Sequence, residues 1–148
     1  MDTTTMTESQ LLAVAGDYKT DPEDLIQLAT NANSQVRALV GINPTTPIEG
    51  LWLLARNDYW GTRCDATKGA NVTEDILKEL SKDPDSSVRE AIAYHKSSSA
   101  PVLVSILKYE RDHIPNADPF VVRVLYKNPK LPAFAKSIIE GLWPAGKV

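Results

Sequence analysis

Apolar residues recur along this chain with two periods, one nested in the other. Over short stretches they fall at i, i+3 and i+4, as in Leu25, Leu28 and Ala29 and again in Val36, Leu39 and Val40. Each such segment therefore carries one apolar stripe of helical period. Over longer stretches the stripes themselves return. Leu25, Leu51, Leu77 and Leu103 stand one every 26 residues, and Leu28, Leu54 and Leu80 keep the same step. So do Val36, Thr62 and Val88, each followed at once by Arg37, Arg63 and Arg89. A unit that returns at a spacing of roughly 20 to 50 residues cannot bury its apolar face alone and stacks on copies of itself. The pattern predicts an all-α chain, an α-solenoid of short helical hairpins of about 26 residues.

Turn residues punctuate the pattern. Asn31-Ala32-Asn33-Ser34 separates the two stripes of one unit and supplies side chains that cap a following helix. In Thr46-Pro47-Ile48-Glu49 threonine is expected to cap, proline to take the first helical position and Glu49 to complete a capping box. Asp21-Pro22 and Leu131-Pro132 mark two further starts. Because proline disfavours helical geometry in the residue before it, Asn43-Pro44 and Asn128-Pro129 should close the preceding helices. Helices are thus predicted near 7–16, 22–30, 34–42, 47–57, 73–82, 86–95, 100–111, 119–127 and 132–142. The whole chain, 1–148, reads as a single helical-repeat domain: an N-terminal cap over 1–20, repeats over 21–131, and a C-terminal cap and tail over 132–148 whose water-facing side carries Lys136 and Glu140.

The string Leu-x-x-Leu-Ala, then Val-Arg, then Asn-Pro-x-x-Pro, at Leu25 to Ala29, Val36-Arg37 and Asn43 to Pro47, resembles the variant leucine-rich repeat family, a relative of HEAT-like solenoids. The resemblance covers roughly residues 20–142, and the Asn-Pro-x-x-Pro element recurs intact at Asn128 to Pro132 but reads Gly-Ala-Asn-Val-Thr at 69–73. It implies alternating α and shorter, partly 3-10, helices stacked into a right-handed superhelix. The cysteine-rich cluster-binding segment of the founding type has no counterpart here, so only the scaffold carries over.

Against this regular background three departures are candidates for function. The second helix of the middle unit has Thr62, Asp65 and Ala66 where its siblings have Val36, Leu39 and Val40 or Val88, Ala91 and Ile92, with Tyr59-Trp60-Gly61 in the turn ahead. An acidic residue in a core column is costly unless paired, so Asp65 is expected at the surface or bonded to a neighbour. The aromatic pair is either an interface anchor or, in a decayed repeat, core filler. The second departure is a lengthening: Val122-Arg123 follows Val88-Arg89 with eight residues more than the period, within Tyr109 to Ala117, a stretch that includes Arg111 and His113. Insertions in solenoids fall in loops on one side of the stack, often the binding side, or simply extend a helix. The third is the arginine row itself, Arg37, Arg63, Arg89 and Arg123, which either ties each repeat to a neighbouring turn or presents guanidinium groups to phosphate.

Composition narrows the classes. Sixteen bases against nineteen acids give a net charge of −3, which argues against nonspecific nucleic-acid affinity. The charge is uneven, −5 over residues 1–50 and +4 over 119–148. Cys64 is the only cysteine, so no intrachain disulfide forms. His95 and His113 are the only histidines and lack partners at ligand spacing; no metal or cofactor is expected. No apolar run approaches the ~20 residues of a membrane span, and the first residues lack a secretory pattern, so a cytoplasmic protein is expected. No glycine-rich phosphate loop or nucleophile elbow occurs. The expectation is a non-catalytic protein-interaction module presenting Tyr59, Trp60, Arg63, Asp65, Tyr94, Arg111 and His113 to a protein partner. The alternatives are a nucleic-acid-binding or base-processing repeat protein using the arginine row, and a structural subunit of a larger assembly.

Overall fold

A computed structural model describes residues 3–143, and every regular element among them is helical. After one 3-10 turn at Thr3–Thr5 come α1 (Glu8–Gly16), α2 (Pro22–Leu28), α3 (Ser34–Ile42), α4 (Ile48–Ala55) and α5 (Trp60–Ala66). Then follow α6 (Glu74–Leu80), α7 (Ser86–Tyr94), α8 (Ala100–Asp112), α9 (Pro119–Lys127) and α10 (Ala133–Leu142). The expected tail beyond residue 143 lies outside the described residues. The chain forms two compact units, Met1–Ile76 and Leu77–Val148. In the first, α1 packs on α3 and α3 on α5, while α2 packs on α4. In the second, α7 packs on α8 and α9, and α10 packs on both α8 and α9.

The repeated columns are the core. Leu25, Leu51, Leu77 and Leu103 are fully buried, as are Val36 and Val88, and Leu28, Leu54 and Leu80 are almost so. Each buried leucine removes enough apolar surface to contribute about 1.5–3 kcal/mol. Polar residues repeat at the same step and hold the turns. Asn31, Asn57 and Asp83 each accept the amide two residues on, at 2.9, 3.0 and 2.9 Å. Thr20, Thr46 and Ser98 each donate a hydroxyl to the carbonyl six residues back, at 2.6, 2.6 and 2.7 Å, satisfying an acceptor the ending helix leaves open. Asn43 closes α3 and sends its amide to the carbonyls of Ala15 and Asp17, and Asn128 closes α9 and reaches Ala93, so these asparagines join successive turns.

Several local expectations change. Thr46 does not cap α4: its hydroxyl is committed to Val40, and Pro47 holds the cap position without a side-chain bond. The second helix of the middle unit, α5, for which the spacing set no bounds, begins at Trp60, so Trp60 and Gly61 lie in its first turn and only Tyr59 precedes it. Helix α9 shows that the insertion is one residue shorter than the sequence spacing suggests. The N-caps Asn33, Asp85 and Asp118 fix the register, which puts Val121 and Val122 in the Val-Arg positions; both are fully buried and Arg123 is exposed. The arginine row therefore has three members.

Candidate functional site

The three repeated arginines share one role. Arg37 Nη1 donates to the carbonyls of Asn31 and Ala32 at 2.7 and 2.9 Å. Arg63 does the same with Asn57 and Asp58 at 3.0 and 2.9 Å, and Arg89 with Asp83 and Pro84 at 2.7 and 3.0 Å. Each guanidinium closes its own interhelical turn through backbone carbonyls. The Nε atom then reaches onward: from Arg37 to the Thr62 hydroxyl at 3.1 Å, and from Arg89 to Glu110 Oε1 at 2.7 Å. Arg37 and Arg89 are buried, so neither faces a phosphate at the surface.

Thr62 is thereby explained. It fills a core column that is valine elsewhere, is itself buried, and accepts from Arg37. Asp65 does not occupy a core position at all. Its sibling Leu39 is only half-buried, and the inward position of this turn is the fully buried Ala66. The Asp65 carboxylate accepts from Lys68 Nζ at 2.8 Å.

Asp65 and Leu39 instead face an open groove of the first unit. Two adjoining hollows of about 320 and 450 Å3 share Gln35, Ala38, Asp65 and Lys68. One extends to Leu12, Leu39 and Ile42, and the other to Tyr59, Trp60 and Cys64. The groove thus runs over the faces of α1, α3 and α5. Its floor depends on the close approach of α3 to α5 at Gly41, where an added Cβ would lie 2.7 Å from the Asp65 carbonyl oxygen. Tyr59 and Trp60 are 52 % and 41 % exposed, with ring centroids 5.6 Å apart, so Trp60 is not core filler. In register, Tyr59 replaces Asn33 and Asp85, whose side chains cap their helices at Gln35 and Ser87. Tyr59 makes no such bond.

Of the expected site residues, Tyr59, Trp60 and Asp65 converge on this groove, whereas Arg63 is held in the turn beneath the aromatic pair. The other three belong to the second unit. Tyr94 stands exposed at the end of α7. Arg111 pairs with its neighbour Asp112 at 2.8 Å, an exposed contact of small energetic weight. His113 caps α8, its ring stacked on Tyr109 at 4.0 Å and its Nδ1 2.7 Å from the Tyr109 carbonyl oxygen. The Arg89 guanidinium lies 4.4 Å from the centroid of the same Tyr109 ring.

The insertion is mostly helix. Helix α8 runs 13 residues where α4 has eight. The added length carries Glu110 inward: fully buried, it accepts from Arg89 Nε at 2.7 Å and from the Asp118 amide at 2.8 Å. Asp118 in turn caps α9. Burial pushes its carboxyl up, but hydrogen bonds from the Ser86 side chain and the Phe120 and Val121 amides, with the Arg89 charge, outweigh that and hold it below the ordinary value. Sequence reasoning missed Glu110, because the period gives no sibling for an inserted residue.

Among the described residues no cluster of three or more potential metal ligands occurs, and no helix is long and apolar enough to cross a membrane. No family model, curated protein or solved structure matches the chain significantly.

Proposed function

We propose that this chain is a non-catalytic protein-interaction module, a right-handed α-solenoid of the variant leucine-rich repeat type, cytoplasmic, whose binding face is the groove over α1, α3 and α5. One observation carries the reading: in the exposed Tyr59–Trp60 pair, Tyr59 stands where sibling repeats place the capping Asn33 and Asp85, and Trp60 where they place Ser34 and Ser86. Giving up a side-chain cap costs about 0.5–2 kcal/mol, and two half-exposed aromatics return little of it within the folded chain. Large, rigid, amphipathic rings beside an apolar groove are the side chains that anchor protein interfaces. The alternative of nucleic-acid binding through the arginine row is weakened by the burial of Arg37 and Arg89 in their own turns.

The test is affinity capture with the intact chain and with Trp60→Ala, followed by mass spectrometry and titration of the captured protein. Trp60→Ala should weaken binding by about 2 kcal/mol, roughly thirtyfold, with little change in melting temperature. Unaltered capture by Trp60→Ala would refute the groove as the binding face.

A further inference from the structure

Residues 1–76, the first unit, carry eleven acids and five bases, net −6, and residues 77–148 carry eight acids and eleven bases, net +3. The groove lies in the acidic unit, although its own lining is balanced. Its one lining cation, Lys68, is already tied to Asp65. Outside the lining, at the margin of the groove, Glu8 precedes Leu12 by one turn on α1 and accepts from the Asn33 side-chain amide, and Asp58 adjoins Tyr59. An occupant that suits this groove brings apolar surface for Leu12, Leu39 and Ile42, and cations for the marginal carboxylates of Glu8 and Asp58 and for the Tyr59 and Trp60 faces.

The second unit displays that combination. On α9, Val121, Val122, Val124 and Leu125 are buried, which leaves Phe120, Arg123, Tyr126 and Lys127 in one exposed stripe. Phe120 is 66 % exposed, so the stripe sets a large apolar ring beside its two cations. From Phe120 to Lys127 the stripe rises about 10 Å, and a groove crossing three packed helices is roughly 16–20 Å wide, so the stripe fits within it.

Resting on the groove as the binding face, we propose that its occupant is a second copy of this chain, docked through the Phe120, Arg123, Tyr126 and Lys127 stripe of α9. The two surfaces are different, so the contact is head to tail: each copy has one groove and one stripe to offer, and association continues beyond two copies unless the ring closes.

Sedimentation equilibrium of the purified full chain tests this. The weight-average mass should rise with concentration past twice the 16.3 kDa monomer. Raising salt from about 0.05 M to about 0.5 M should weaken association about tenfold or more. Trp60→Ala and Phe120→Glu, both at exposed positions, should each sediment as monomers with unchanged helicity. Mixed in equal amounts they should form a heterodimer and stop there, because one intact groove and one intact stripe remain. A chain that is monomeric at millimolar concentration in low salt overturns the proposal, as does a mixture that stays monomeric. If Trp60-dependent capture of some other protein persists in either case, only self-association has failed. If Trp60→Ala self-associates like the parent chain, the groove is not the surface involved.

Discussion

The two units solve one problem with different chemistry. In the first, the Nε of Arg37 meets a neutral hydroxyl, Thr62, set into a core column that is otherwise valine. In the second, the Nε of Arg89 meets a buried carboxylate, Glu110, delivered by the inserted turn of α8. Both arginines bond identically to their own turns, so the difference lies wholly in what lies beyond the guanidinium. The neutral solution needs one substitution and leaves the period intact. The charged solution needs an insertion, but Glu110 then does a second task, accepting the Asp118 amide in place of the asparagine or aspartate side chains that hold the equivalent amides of Asn33, Tyr59 and Asp85. The polar core residue of the first unit and the lengthened helix of the second are thus both accounted for as supports of the arginines.

The comparison predicts its own largest failure at Glu110. Glu110→Ala leaves the Arg89 charge buried without its partner and frees the Asp118 amide, and removing one member of a buried pair costs about 3–5 kcal/mol. Urea unfolding should register that loss. A loss below about 1 kcal/mol would mean that the Tyr109 ring and the turn carbonyls suffice for Arg89. On the other side, Thr62→Val keeps the volume and the β-branch and restores the sibling residue, yet strands the Arg37 Nε. It should destabilise by about 1–3 kcal/mol, and a neutral or stabilising result would show that the column wants valine and that the hydroxyl is incidental.

Much of this was legible because it repeats. A buried leucine every 26 residues and the Asn-Pro helix ends leave marks at fixed spacing, and the observed burial follows them. Three features break the repeat, and spacing alone does not place them. The start of helix α5 carries no signal because Tyr59 stands where its siblings have the capping Asn33 and Asp85. Arg123 mimics the Val-Arg pair one residue out of register; only the Asp118 cap and the burial of Val122 reveal the slip. Asp65 falls in an apolar column by spacing and, as a carboxylate requires, is half-buried and bonded to Lys68; a three-and-four pattern cannot distinguish the inward edge of a stripe from the wall of a groove. The candidate site itself was half legible: the aromatic pair was visible as a departure, whereas its convergence with Leu12 and Ile42 depends on which helix faces adjoin.

The smallest expected effect concerns the cap that Glu110 supports. The Asp118 carboxyl is held below its ordinary value of 3.8, so the folded chain binds this proton less readily than the unfolded chain does. Its contribution to stability is therefore fully present above about pH 4 and is lost as pH falls through the depressed folded-state value. Asp118→Asn keeps an oxygen for capping α9 but does not titrate. Other carboxylates also protonate in this range, so the readout is the difference between the parent chain and the variant. Measured by thermal unfolding, that difference should favour the parent at about pH 5 and shrink steadily on acidification below about pH 4. A difference that is constant across the window would mean that the Asp118 carboxyl titrates alike in the folded and unfolded chains, so that neither the capping amides nor the Arg89 charge favours its ionised form.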